Sequence, residues 1–183
     1  MAQRDLLKMG NPRLNEISTI LIDRHSKETQ NLITDMLETM LAANGAGIAA
    51  PQLGVLSRVI VFGINQNPRY PEIEPIPQTV LINPEIEILD EEMVFAWEGC
   101  LSVPGMRGLV PRYKKIRYSA YDQLGTKRKV VAEDFHARVV QHEIDHLEGI
   151  LYPQRIKDLT KFGFIDELEK TGVIPTITKT ESG

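Results

Sequence analysis

The segment Gln141-His142-Glu143-Ile144-Asp145-His146-Leu147-Glu148-Gly149 leaves this chain the least freedom. Written as a helix, it places His142 and His146 at i and i+4 on one face, so that both imidazoles reach a single cation. Glu143 is too close in sequence to ligate in the same direction, but its carboxylate can reach a water on that cation and take its proton. The bland alternative is a helix that carries these residues by chance. Two of the chain's four His fall in this pentapeptide, however, among apolar Val139, Val140, Ile144 and Leu147. Unpaired polar side chains are costly there. A general-base Glu is not required by a structural metal site, so its presence points to catalysis.

At 183 residues the chain has the size of one domain, 1–183, able to bury a core without staples. A net charge of -4 with mixed signs argues against a basic face for nucleic acid. Met1-Ala2-Gln3-Arg4-Asp5 leads into no apolar stretch of signal-peptide length, and no run is long enough to span a bilayer. The expectation is a cytoplasmic protein with no membrane partner and no direct contact with nucleic acid, or an organellar matrix protein if a targeting segment has been removed. Cys100 is the single cysteine, so no intrachain disulfide can form. Its bland reading is a buried, inert thiol.

Leu32, Met36, Leu37, Met40 and Leu41 recur at helical spacing before Asn44-Gly45, which predicts an amphipathic helix over 27–43. The dense small residues from Gly45 to Gly54 suit a wall against which an extended ligand lies, and they lack the Lys and hydroxyl of a phosphate loop. Residues 58–62, 79–82, 85–89 and 93–97 read as strands. A proline-rich excursion over 65–77 and an acidic turn at Asp90-Glu91-Glu92 interrupt them. A turn-rich stretch, 98–105, follows. Residues 116–121 and 128–132 flank Gln123-Leu124-Gly125-Thr126 as a hairpin. Asp134 is expected to cap the metal helix over 135–148, with Ala137, Val140, Ile144 and Leu147 as its rear stripe. A last helix is expected over 157–170, with a mobile Thr-rich tail after about 171. The sum is an α+β fold in which antiparallel strands wrap around a central metal-binding helix.

A catalytic centre of this type keeps three protein ligands and one open position. Cys100, Glu98, Glu148 and Asp145 are candidates for the third ligand. Cys100 is preferred, because a thiolate binds borderline-soft ions tightly and sits here on a Gly-flanked turn. A Cys-His-His set suits Fe(II), Zn(II), Co(II) or Ni(II).

Three motifs together resemble the signatures of the peptide deformylases: Gly45-Ala46-Gly47-Ile48-Ala49-Ala50-Pro51-Gln52, Glu98-Gly99-Cys100-Leu101-Ser102, and Gln141 to Gly149. H-E-x-x-H alone occurs in many metalloproteases, whereas all three in order span most of the chain. The resemblance implies removal of the N-formyl group from the N-terminal methionine of new polypeptides, with release of formate. It implies Cys100, His142 and His146 as ligands of one divalent ion and Glu143 as the acid/base. That ion is Fe(II) in cells, with Ni, Co or Zn as substitutes. The partners implied are formyl-methionyl nascent peptides and, for an enzyme acting on them, the ribosome. Two residues depart from the common pattern: Ile48 stands where Leu is more usual, and Arg138 where some members are apolar.

The residues also carry a reaction. Glu143 takes a proton from the attacking water and returns it to the departing amine. The side-chain NH₂ of Gln52 and the backbone N–H of Leu101 are placed to donate to the formyl oxygen as charge builds there, and losing one such donor costs about 10²–10³ in turnover. Gly45 and Gly47 are expected to line a groove for extended peptide, with Ile48 helping to form an apolar methionine pocket. Asp145 is expected to pair with Arg112, and Glu98 to steady a ligand histidine. The rivals are a metalloendopeptidase, which more often completes its site with His or Glu, and a structural metal domain, which needs no Glu143.

Overall fold

The computed structural model describes residues 4–65 and 74–175. Part of the expected proline-rich excursion (66–73) and most of the expected tail (176–183) therefore lie outside the described residues.

The first helix, α1, runs Lys27–Ala42, and the Ser26 side chain accepts from the Thr29 N–H to satisfy its open N-terminus. Its apolar stripe, Leu32, Ile33, Met36 and Met40, is buried. Met36 is fully enclosed, and truncating such a side chain to Ala typically costs about 2–5 kcal/mol. Asn44, with φ 51, turns the chain out of the helix into β1, Gly47–Ala49.

Among the described residues a six-stranded antiparallel sheet follows in the order β1, β2 (Val59–Ile64), β3 (Ile76–Cys100), β4 (Val103–Tyr121) and β5 (Lys127–Glu133), with β6 (Phe162–Phe164) added to β4. Alternation on the first two strands divides the core between two helices. Val59 and Val61 on β2, with Ile48 and Ala50, pack on the layer that holds α1. Ile60, Phe62 and Ala49 pack against the second helix, α2 (Asp134–Leu147), through its stripe Ala137, Val140, Ile144 and Leu147. The helix expected at 135–148 thus packs against one face of the sheet, and the α+β class holds.

Four expectations need correction. The strands expected at 79–82, 85–89 and 93–97, and the acidic turn between them, are one continuous strand, β3. β4 offers an unbroken partner, and Asp90 to Glu92 are absorbed by register shifts between Ile88 and Met93 rather than by a turn. Asp134 is not the cap of α2: it is the first helical residue, at φ 49, and the Glu133 side chain before it makes no capping bond. The helix expected over 157–170 shortens to α3, Ile165–Lys170. Asp158 caps a separate 3₁₀ turn, Leu159–Lys161, and 162–164 pair as β6 with Met106, Arg107 and Gly108. Ile48, expected in a methionine pocket, is fully buried in the α1 layer; it follows Gly47 on a strand, so it points to the opposite face from its neighbour.

Gly149 closes α2 at φ 70, and a Cβ there would stand 2.6 Å from the Asn15 carbonyl carbon, so the turn requires glycine. The β4–β5 hairpin forms as expected, with Asp122 accepting from the backbone of Leu124 and Thr126.

Candidate metal centre

Cys100 ends β3 and faces Val103 across a tight turn, while His142 and His146 project from one face of α2. The turn and the helix face each other. Cys100 Sγ lies 3.3 Å from His146 Nε2, the two imidazole centroids are 5.1 Å apart, and the three donor atoms all fall within 4.8 Å of one another. Glu98 Oε2 stands 2.8 Å from His142 Nδ1. That contact fixes the ring and leaves its other nitrogen towards Cys100.

Glu98 is the hub of a buried ionic group. Arg112 forks onto it through Nε and Nη2 at 2.9 and 3.0 Å, and also donates through Nη1 to Asp145. Arg138 donates to Glu98 Oε1 at 2.6 Å, and Arg155 forks onto Asp145. Burial alone would push the Glu98 carboxyl up, but His142 and Arg112 outweigh it and hold it well below the usual range. Burial likewise opposes charge on His142, while Cys100 and Glu98 outweigh that effect and raise it. His146 is pushed down, first by burial and then by the charge of His142, which favours the neutral ring that ligates metals.

Glu143 differs from these carboxylates. It is buried, its Oε2 has no hydrogen-bond partner among the described residues, and burial pushes its carboxyl up to about 7. Gly47 makes room for it: a Cβ on Gly47 would sit 2.8 Å from Glu143 Cδ and closer still to Oε1. On Gly45 a Cβ would meet Leu101 Cδ1 at 3.0 Å, so this glycine packs the β1 entrance against the Cys100 turn.

Gln52 is oriented at both ends of its amide. Oε1 accepts from the Ala49 N–H at 2.8 Å, which turns Nε2 to Ser102 Oγ at 3.0 Å and Cys100 Sγ at 3.5 Å. Its NH₂ therefore points into the turn that carries Leu101.

The structure thus gathers Cys100, His142, His146, Glu143, Gln52, Leu101, Gly45 and Gly47 around the meeting of β1, the β3–β4 turn and α2, and sends Ile48 elsewhere. A thiol and two imidazoles so placed, beside a buried carboxylate whose Oε2 has no partner among the described residues, are a donor set that fits one divalent ion of borderline softness. Glu98 and Asp145, weighed as ligands from sequence, are instead taken up by Arg and His. The sequence reading missed Tyr152, whose buried ring stacks on His142 with centroids 6.1 Å apart, and Ser102, which holds Gln52. Ser102 stands in the 98–102 motif without a role read for it, because its partner Gln52 lies 50 residues away; Tyr152 belongs to no motif.

Residues 3–162 match the family model described as polypeptide deformylase. Among curated proteins, peptide deformylase 2 of Ralstonia nicotianae is 54% identical over 165 residues, covering 90% of this chain and 93% of the relative. Peptide deformylase 1 of Bordetella pertussis is 55% identical over 89% of this chain and 93% of its own. Among solved structures, a class I type b peptide deformylase from Acinetobacter baumannii with Met-Ala-Ser bound superposes with a TM-score of 0.81 at 39% identity, covering 85% of this chain and 99% of that one. A peptide deformylase from Synechococcus elongatus in complex with actinonin gives 0.77 at 32% identity, over 94% and 91%.

Proposed function

The chain belongs to the polypeptide deformylase family, metal-dependent hydrolases that remove the N-formyl group from formyl-methionyl peptides, and on that premise we propose how its residues divide the work. Cys100, His142 and His146 hold one divalent ion, which is Fe(II) in cells and replaceable by Ni, Co or Zn. When bound, the ion supplies a Lewis acid that makes a water nucleophilic near neutral pH. The observation that carries this reading is the approach of the three donors to within 4.8 Å of one another.

Glu143 takes the proton of the attacking water. Its carboxyl, raised to about 7 by burial, is poised to accept that proton and to give it up again. As the water oxygen bonds to the formyl carbon, charge moves to the formyl oxygen. Gln52 Nε2, held by the Ala49 N–H through the other end of its amide, and the backbone N–H of Leu101 donate there. The carbon–nitrogen bond then breaks, Glu143 passes its proton to the amine, and formate leaves.

Gly45 and Gly47 line the groove along β1 in which the peptide lies extended. The Acinetobacter relative holds Met-Ala-Ser, a peptide that begins with methionine, and this supports a methionyl substrate. A substrate of this class supports a place for the protein in the cytoplasm, beside the ribosome that makes such peptides. Among the described residues no helix is long and apolar enough to cross a membrane.

Formate release from a formyl-methionyl peptide, measured anaerobically after restoring Fe, Ni, Co or Zn in turn to the apoprotein, tests the assignment. Activity returning with metal, highest with Fe, is expected. Full activity without metal would contradict it.

A further inference from the structure

Arg138 stands one turn before His142 on α2 and is buried. Its role follows from the hydrogen bonds of Glu98. An ionised carboxylate offers about four lone-pair sites. On Oε1 these accept from Arg112 Nε at 2.9 Å and Arg138 Nη1 at 2.6 Å; on Oε2 they meet Arg112 Nη2 at 3.0 Å and His142 Nδ1 at 2.8 Å. Glu98 is saturated. Arg112 already neutralises it, and desolvating a second guanidinium is costly, so charge balance does not explain Arg138.

What Arg138 adds is a fixed point. Its Nη1 also donates to the Val110 carbonyl on β4 at 2.9 Å, and its Nη2 to the Val94 carbonyl on β3. Both strands and the helix therefore meet at one planar group that grips a single oxygen of Glu98.

We propose that Arg138 is a positioning residue of the metal centre: by holding Glu98 Oε1 it stops the carboxylate from turning, keeps Oε2 on His142 Nδ1, and so fixes the nitrogen that His142 presents to the ion. The proposal rests on reading Cys100, His142 and His146 as the ligands.

Arg138→Met removes the guanidinium and keeps the stem; Arg138→Lys returns one donor to Glu98 but not the fork. Wild-type protein and both variants are loaded with Co(II), whose thiolate charge-transfer absorption reports the Cys100 bond. The loaded proteins are then mixed with excess chelator to read the rate of Co(II) loss, with melting of each apoprotein recorded in parallel. Arg138→Met is expected to lose Co(II) about 10–100-fold faster than wild type, the range typical of removing an outer partner of a ligand histidine, with Arg138→Lys between the two. Wild-type rates in both variants, with only the melting temperature lowered, would make Arg138 a brace between helix and strands and overturn the proposal. Should Arg138→Met fail to fold, Arg138→Lys decides alone: faster loss supports the role, and an unchanged rate overturns it. A wild-type protein without a thiolate band would overturn the ligand set itself, and the role of Arg138 with it.

Discussion

Two ion pairs on the β3–β4 ribbon have the same residue types on the same strands and the same nitrogen–oxygen distance, 2.9 Å: Glu87 with Arg117, and Glu98 with Arg112. The Glu87 and Arg117 side chains are 59% and 32% exposed, whereas both members of the second pair are 5% exposed. In water the first is screened and contributes about 0–1 kcal/mol. The second is dry, shared with Arg138 and His142, and converts a charge contact into the orientation of the His142 ring. The ribbon therefore teaches that burial, rather than contact length, decides whether a carboxylate adds solubility or chemistry. Glu143 is the further case, buried with Oε2 unpartnered among the described residues, and burial pushes its carboxyl up to about 7.

Changes at the buried end should have the largest effects. Glu143→Gln is expected to cost about 10²–10⁴ in kcat while metal content, read by elemental analysis, stays at the wild-type level. Glu98→Ala would leave Arg138 buried without its counter-ion and Arg112 with Asp145 alone. A loss of about 3–5 kcal/mol in urea unfolding is expected. Metal affinity should fall about 10–100-fold in chelator competition, and an unchanged affinity would remove Glu98 from the support of His142. Gly47→Ala should lower kcat more than it raises KM, by about 10², because the added carbon displaces Glu143. A change confined to KM would assign Gly47 to peptide binding alone. At the wet end, Arg117→Met should shift urea unfolding by no more than about 1 kcal/mol.

The smallest effect is in the acid range. Asp122 is held below the usual carboxylate range by the Thr126 backbone N–H, helped by Arg128 and Leu124. A depressed folded value gives stability that is present above the unfolded pKa and lost as pH falls through the folded one. The difference in urea midpoint between wild type and Asp122→Asn should therefore be constant at neutral pH and shrink below about pH 4. A difference that stayed constant to pH 3, roughly one unit below that carboxylate range, would show that the turn does not depend on this charge.

What the sequence revealed was what is local. His142, Glu143 and His146 lie within one helical period, the stripe of α1 repeats at helical spacing, and the β4–β5 hairpin follows from its Gly125 turn. One longer-range expectation also holds: Asp145 pairs with Arg112, 33 residues away, as the need of a ligand-bearing helix for outer partners suggested. Failures came where distant chain decides. Asp90 to Glu92 look like a turn until β4 supplies a continuous partner, and 162–164 look helical until β4 offers them an edge. Ile48 was assigned to the site because its neighbours are there, and a strand sends adjacent side chains to opposite faces. The grip of Arg138 on Glu98, Val94 and Val110 joins three segments and has no sequence pattern.

The central claim is that a thiolate and two imidazoles hold one ion and leave it a position for water. X-ray absorption of the zinc-loaded protein at the metal edge tests this most directly. One sulfur at about 2.3 Å, two imidazole nitrogens at about 2.0–2.1 Å and one exchangeable oxygen are expected. A shell without sulfur, or one closed by a fourth protein ligand, would contradict it.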